Sequence, residues 1–580
     1  MLHHLLHPLR LLWNGRAALF WPIWTVITVS ASLGICLILR RLPAAGQGRV
    51  NSFESAGSRR IMALAFLAAV LSCYSAMSMV WEDFTYYDNS HFTNGTLIGR
   101  SISLQISPEG GRFWPLGHQE FNVVRYFTNS VMGYHLVRLF ELLAVCGIVV
   151  GLLRAVVVEK RVALILVLLV TPSIVTCFNG LIYPEANVIL WLACFLFAID
   201  RFEREESLGW AFGTVIAAEF LLYYKETVFL FLLGFSFARI IMRWQRDAGS
   251  KQATPRRMGR ATVLDIGNLC LAGIFLLYYG LVMYPKFGMS YAEGRRLPFL
   301  QVVVTYLQLD LLAWVALFIT LIRVVRILQR KAKPTLLWDG MAVGAVLYFL
   351  GFIVLRMESS YYLAPVDFIA VLYVGRLAFL SLEGRGKVVQ ALGLAAALMI
   401  VAQDVALSAF RMYERKNVIH AKALLAQEIE KESRADSHHA PRMFFPFARP
   451  FHILEFAAYL SYTGLPIEER TTRGVTPGAQ LSGSLVEKDG PCGYRTFMCH
   501  RASAPSAGDL VVIFPDDVTD ATAYERYREG NTVVLLSYDP RPSIPNWLRP
   551  IVEKLHVESP IFTFTPLPDS WLTASLSKWK

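Results

Sequence analysis

The stretch "WEDFTYYDNSHF", residues 81–92, sets Glu82, Asp83 and Asp88 directly after a run without charge from Ile61 to Val80. Phe84, Tyr86, Tyr87 and Phe92 surround these acids, and His91 and Arg112 follow. An ionised acid beside lipid needs water, a partner or a cation. A carboxylate partly desolvated by aromatic rings has a raised pKa and can take a proton near neutrality, which suits a general base. The plain alternative is a set of helix-terminal charges in the headgroup zone.

Other chemistry-bearing residues stand at comparable boundaries. "FNGLIYPEANVIL" carries Glu185, otherwise a first-turn acid facing a helix dipole. "FLLYYKETVFLFL" carries Lys225 and Glu226, otherwise an exposed charge pair inside a hairpin. "VLRMESSYYLAPVDF" carries Arg356 and Glu358 ahead of Tyr361, otherwise interfacial anchors. "GRFWPLGHQEF" adds Arg112, His118 and Glu120, and "AEGRRLPF" adds Arg295 and Arg296. Each signal is weak alone. Together they ring one mouth with acids and bases from several helix ends. Lys and Arg there would hold phosphate, Arg where two-pronged contacts matter, while an acid activates an acceptor hydroxyl.

The elements that must position these residues are membrane helices. Apolar residues are 55% and charged residues 17% of the 580, and mean hydropathy is +0.43. Apolar windows long enough for the ~20 residues of a spanning helix recur near 18–39, 61–81, 136–157, 161–178, 184–200, 208–223, 226–243, 262–284, 309–329, 336–355, 361–381 and 388–408. The fold class is therefore a polytopic α-helical membrane protein of about twelve spans. The net charge of +12 is a topology signal and not a nucleic-acid footprint. Arg40, Arg41, Arg154, Lys160, Arg161, Arg239, Arg243, Arg260, Arg323, Arg326 and Arg385 fall in loops that alternate to one side. By the positive-inside rule that side is cytoplasmic, and its charge attracts anionic lipid headgroups. The acids and bases of the mouth then face the extracytoplasmic side. The same alternation puts the N-terminus outside although it carries Arg10 and Arg16, so the first helix reads as an addition of unsettled orientation.

Three regions follow: an extra helix and loop over 1–60, a membrane module over 61–408 with a long first extracytoplasmic loop at 82–135, and a soluble extracytoplasmic region over 409–580. The last opens with a charged helical stretch, "RMYERKNVIHAKALLAQEIEKESR", expected on the membrane surface. "DLVVIFPDD" and "NTVVLLSYDP" read as buried strands, with "ATAYERYREG" a helix between them in a small βα unit. Cys492 and Cys499 lie in this region, where an oxidising compartment permits a disulfide. The other six cysteines sit in apolar spans.

The layout resembles the GT-C class of polyprenyl-phosphate-dependent glycosyltransferases, which includes protein O-mannosyltransferases, oligosaccharyltransferases and lipid A aminoarabinose transferases. In that class an acidic motif follows the first core helix in a long first external loop, the place of "WED" with Asp83. A second acid follows the third core helix, where "YPE" with Glu185 falls. "YKET" stands in the hairpin between the fifth and sixth, and "SSYYLAP" is similar to a late tyrosine–proline motif, with Arg356 some residues before the expected basic position. Glu-Asp replaces the commoner Asp-Asp or Asp-Glu, so Asp83, Asp88 and Glu82 compete for the catalytic role, in that order. The resemblance implies a sugar donor on a polyprenyl phosphate and a glycan, lipid or protein acceptor. It implies inverting transfer outside a bacterial inner membrane, with Lys225, Arg356 or Arg295 on the leaving phosphate. Glu226, Arg112, His118 and Tyr361 would line the substrate. A divalent cation (Mg, Mn or Ca) on Asp83, Asp88 and Glu185 is compatible with the oxygen ligands such ions take.

Three other classes compete, one of them a non-catalytic membrane scaffold whose tail binds a partner. An O-antigen ligase or polymerase also joins lipid-linked sugars, but lacks the early acidic motif. A transporter fits the span count, yet needs ionisable or broken-helix sites at the midplane; Glu219 is the clearest charge inside a span, and no internal repeat is visible.

Overall fold

The computed structural model describes residues 17–41, most of 101–248, 259–283, 298–382 and 386–435, and seven short strands between 442 and 578. The segment 42–100 lies outside the described residues. So therefore do the span expected at 61–81 and the acids Glu82, Asp83 and Asp88.

Helix α1 is Ala17–Arg41. The first external loop contributes a hairpin, β1 (Gln105–Ser107) against β2 (Arg112–Trp114), and the short α2 (Gln119–Val124). The bundle follows with α3 (Val131–Leu152), α4 (Val158–Val170), α5 (Pro172–Asn179), α6 (Glu185–Glu205), α7 (Leu208–Tyr224) and α8 (Val228–Ala248). It continues with α9 (Arg260–Tyr278), whose last turn widens into a π-turn at Tyr279–Met283. Then come α10 (Phe299–Leu309), α11 (Leu311–Leu328), α12 (Leu336–Leu355), α13 (Ala364–Leu382) and α14 (Lys387–Ala435).

Seven described helices are long and apolar enough to cross a membrane, or eight if the bent pair α4–α5 counts as one span. The expected twelve exceeds this among the described residues for physical reasons. The 17-residue α7 is short, and α6 carries Glu185 at its start and a run of charges from Asp200 onward. The 66° bend between α4 and α5 falls at Thr171–Pro172. Proline pushes the residue before it out of helical conformation, and Thr171 is extended while Pro172 opens α5. A second break separates α10 from α11 at Asp310, whose carboxylate caps α11 by accepting from the Ala313 amide at 2.8 Å. Sequence reading had no helix at α10.

Packing is closest between α8 and α12. A Cβ on Gly234 would stand 3.0 Å from the Gly344 Cα, and one on Gly344 2.8 Å from the Phe231 carbonyl oxygen. Without a hydrophobic drive between helices in lipid, close backbone approach supplies the contact energy. Arginines from two of the basic loops, with Arg204 of α6, meet in ion pairs at one end of the bundle. Arg154 and Arg204 bind Asp200, and Arg239 and Arg243 share Glu203 and Asp265. Arg239 and Asp265 are fully buried.

Helix α1 is oriented by its contacts. Tyr223 donates its hydroxyl to Thr28 at 2.9 Å, and Ser32 donates to Glu219 at 3.1 Å. Residues 33–40 stand beside the start of α7, so α1 runs antiparallel to α7. Its N-terminal end shares a side with the 225–227 hairpin. Glu219 is a carboxylate matched by α1 and is not a free midplane charge.

The surface helix expected after 409 is not a separate element. It continues the last span as one 49-residue helix, α14. The soluble region holds a seven-stranded mixed sheet in the order β5-β6-β4-β3-β7-β9-β8. "DLVVIFPDD" supplies β7 (Leu510–Val512) and "NTVVLLSYDP" supplies β8 (Asn531–Leu535). The two are not neighbours, because β9 (Ala574–Lys578) inserts antiparallel to both. Parallel β3 (Arg442–Phe445), β4 (Ile467–Thr471) and β6 (Phe497–Arg501) form the other half, with the short β5 (Gly490–Pro491) antiparallel at its edge. The helix of the expected βα unit and Cys492 lie outside the described residues, while Cys499 stands in β6 opposite Gly490.

Gly344→Leu should lower stability by about 1–3 kcal/mol through overpacking, read as a fall in melting temperature of detergent-purified protein. Gly147→Leu, where a Cβ meets nothing within 4 Å, is the matched control and should leave it unchanged. Equal melting temperatures for both variants would contradict the close crossing.

Candidate functional site

Four charges meet where the loop ahead of α3 folds onto the end of the bundle. Pro184 sets the turn that starts α6, and Glu185 is its first residue. The 225–227 hairpin between α7 and α8 places Lys225 opposite it, Nζ to Oε1 at 2.9 Å. Lys225 and Glu226 do not pair with each other as an exposed hairpin pair would. Glu226 instead takes Arg112 of β2, Nη1 to Oε1 at 3.2 Å. Each charge of the hairpin therefore binds a different element. The Leu116 amide donates to the Tyr223 carbonyl at 3.2 Å, and Tyr279 donates its hydroxyl to the Gly111 carbonyl at 2.7 Å. These two bonds fix the β2 loop on α7 and the end of α9.

The pair is enclosed. Glu185 is fully buried and Lys225 is 4% exposed. The Lys225 ammonium lies 5.4 Å from the Trp114 ring and 5.0 Å from the Tyr362 ring. Tyr362 stacks on Phe352 at 4.9 Å, and Tyr361 bridges Tyr362 and Tyr183 at 4.3 and 4.7 Å. Burial opposes the charge on Lys225, but the Glu185 and Glu226 carboxylates outweigh it and raise its pKa. Arg112 is held more firmly charged in the same way, with Glu226 overcoming its burial. Glu185 accepts no hydrogen bond of good geometry on either oxygen, although Oε1 is in ionic contact with Lys225. At 2.9 Å the two opposite charges attract whatever the angle of approach.

A second network lies alongside. Arg138 of α3, fully buried, binds Glu120 and Glu141, each at 2.8 Å, and the Leu181 carbonyl at 3.1 Å. Asn187 donates to the same Glu120 oxygen at 2.7 Å. This ties α2, α3 and α6 together one turn from Glu185. His118 sits between the two networks in left-handed conformation, φ 63°, its ring 5.1 Å from Trp114. It is fully buried. Burial, with the positive charges of Arg138 and Lys225, holds its pKa well below the ordinary value.

Of the sequence candidates, the fold brings together Glu185, Lys225, Glu226, Arg112 and Tyr361, with His118 at the edge. Arg356 is exposed, the left-handed cap ending α12, and pairs with no described acid. Arg295, Asp83, Asp88 and Glu82 lie outside the described residues. As a cation ligand Glu185 is compromised, because Lys225 already supplies a positive charge against it. No group of three His, Cys, Asp or Glu with metal-holding geometry occurs among the described residues. Sequence reasoning missed Trp114, Tyr362, Arg138 and Asn187. Trp114, Tyr362 and Asn187 stood inside quoted motifs, whereas Arg138 lies in a helix whose pattern gives no sign of charge matching.

No family model matches the chain, and no curated protein matches it. Among solved structures it is similar to the crystal structure of ArnT from Cupriavidus metallidurans bound to undecaprenyl phosphate. The identity is 14%, covering 89% of this chain and 98% of that one, with a TM-score of 0.41. The apo state of the same protein is similar at 12% identity, over 96% of this chain and 98% of that one, with a TM-score of 0.38. Likeness at those values carries no argument about this chain.

Lys225→Met should cost about 3–5 kcal/mol, because it leaves Glu185 buried and uncompensated. Adding Glu185→Gln should recover most of that loss in thermal unfolding; a double variant no more stable than the single one would refute the pairing. His118 predicts acid sensitivity. Below about pH 6.5 the unfolded chain binds a proton that the buried ring refuses, so stability falls as pH falls, by roughly 1.4 kcal/mol per pH unit. His118→Asn, which tolerates the left-handed backbone, should flatten the decline in melting temperature between neutral pH and pH 5.5.

Proposed function

We propose that this protein is a membrane glycosyltransferase that moves a sugar from a polyprenyl-phosphate donor to an acceptor hydroxyl at the bundle end carrying Glu185 and Lys225. The observation that carries the proposal is the enclosed array of Lys225, Arg112, Glu185 and Glu226 under the first external loop, walled by Trp114, Tyr361 and Tyr362. Cations matched by carboxylates and walled by aromatic rings suit a ligand that joins a phosphate to a sugar and an apolar chain. The charge distribution of the loops assigns this end to the extracytoplasmic side, and the soluble region after 435 to the same side.

In the proposed reaction the acceptor oxygen attacks the anomeric carbon while the bond from that carbon to the phosphate oxygen breaks. The acceptor proton passes to Asp83, with Asp88 and Glu82 next in order. Polyprenyl phosphate leaves with the electron pair of the broken bond. Lys225 and Arg112 stabilise the charge that grows on the phosphate, and inversion follows from a single in-line displacement. Arg295 and Arg356 are reserve phosphate ligands. A divalent cation would have Asp83 and Asp88 as ligands, the carboxylates not already matched to Lys225 or Arg112. The acceptor is a glycan, lipid or protein hydroxyl of the cell envelope.

One observation favours a transport reading. Asp310, Asp367 and Asp404 are buried near the two helix breaks, and Ser173 of α5 donates to Asp367. Buried acids beside broken helices are frequent at ion and substrate sites of transporters. The same acids also serve as an internal fastening of α5, α11, α13 and α14, which requires no transported species.

The test is transfer by purified protein from a panel of radiolabelled polyprenyl-phosphate sugars, beside Asp83→Asn. Wild-type transfer that drops by about 10²–10⁴ in the variant, the range for a lost general base, supports the enzyme. Unchanged substrate accumulating inside proteoliposomes, with no sugar transferred, establishes the transport reading instead.

A further inference from the structure

The groove between α1 and the start of α7 is unused by the site above. It encloses about 340 Å³, a volume within the range of small-ligand sites. Leu33 and Leu37 of α1 and Leu208 and Phe212 of α7 form its walls. Gly209 opens its floor, because a Cβ there would meet only the neighbouring Ser207 Oγ at 3.6 Å. The polar contacts Ser32–Glu219 and Thr28–Tyr223 close the two helices further along, toward the end of α7. Arg40 lines the open end and Arg41 follows it. Both are exposed, and neither forms an ion pair with a described residue.

We propose that this groove holds an acyl chain of an anionic glycerophospholipid, with its phosphate and headgroup against Arg40 and Arg41. Charge complementarity selects that occupant. The groove wall is apolar over two turns of each helix, as a lipid tail requires, and then ends on two cations with no ion-pair partner among the described residues, at the bundle end where the chain's other basic loops gather. Juxtamembrane arginines attract anionic headgroups. The chain's own apolar run, 61–80, would fill the groove but has no charge to offer Arg40 and Arg41. A zwitterionic lipid would supply a phosphate and cancel it with its own ammonium. The site belongs to the added helix α1 and stands independently of the proposed catalysis.

The experiment uses the full chain in nanodiscs of equal phosphatidylglycerol and phosphatidylcholine, followed by native mass spectrometry. A phosphatidylglycerol bearing a photoreactive acyl chain maps the contact. Wild type should retain phosphatidylglycerol over phosphatidylcholine, and cross-links should fall on 33–40 and 208–212. Arg40→Gln with Arg41→Gln should reduce the headgroup preference by roughly tenfold. Gly209→Leu should fill the floor and abolish the cross-links while leaving the fold intact. Should the double arginine variant fail to fold, Gly209→Leu alone decides. Equal retention of both lipids, cross-links mapping elsewhere, or cross-links undiminished by Gly209→Leu would each overturn the proposal.

Discussion

A lysine and a glutamate buried together, Lys225 against Glu185, set the terms for this end of the molecule. Removing either charge from water is expensive, and only a close opposite charge offsets the cost. The hairpin after α7 must therefore be short and tightly placed, and α6 must begin at Glu185. Glu226, adjacent in sequence, cannot use the same lysine side-on. It recruits Arg112, and in doing so fixes β2 on the bundle. One ion pair thus specifies the positions of two helix ends, and its neighbour specifies where the first external loop lands.

The same rule governs the opposite end, with different partners. Arg239 is as buried as Lys225, and it needs two acids from two other helices, Glu203 of α6 and Asp265 of α9. Arg243 shares both. Here the charges fasten three helices to one another, and Arg239 also lies 5.0 Å from the Phe235 ring. At the Lys225 end the ammonium contacts the Trp114 and Tyr362 rings as well as a carboxylate, and the charges come from β2 as well as from helix ends.

Much of this was legible before any coordinates. The spans α3, α8, α9, α11, α12 and α13 follow from uninterrupted apolar length, which is why their boundaries agree to within a few residues, whereas the break at Thr171–Pro172 and the short α10 left no mark in the apolar pattern. Glu185, Lys225 and Arg112 were legible as charges at boundaries, because lipid makes such charges costly. Their pairing was not. Adjacent Lys225 and Glu226 invite a local pair, and only the tertiary approach of α6 and β2 sends them to separate partners. Asp310, Asp367 and Asp404 escaped notice because each is a single acid in an apolar stretch, the first two at helix starts and Asp404 inside α14; three elements must converge before they become a buried group. The continuous α14 was misread for a related reason: the change from apolar to charged composition near 409 marks the edge of the membrane, while helix propensity runs on across it.

The pairing constrains any chemistry at Lys225. In the resting state its charge is already balanced by Glu185, so a phosphate diester with one negative charge gains little by displacing that carboxylate. A phosphate that acquires a second charge as a glycosidic bond breaks gains more. Interactions stronger in the transition state than in the ground state are the ones that accelerate a reaction. A lysine held in balance by a carboxylate, and shielded from water by Trp114 and Tyr362, is placed to respond to charge as it develops, whereas an unpaired lysine would bind the donor and the departing lipid phosphate alike. In the proposed reaction Glu185 would act neither as base nor as metal ligand, but by setting how much positive charge Lys225 shows before the bond breaks.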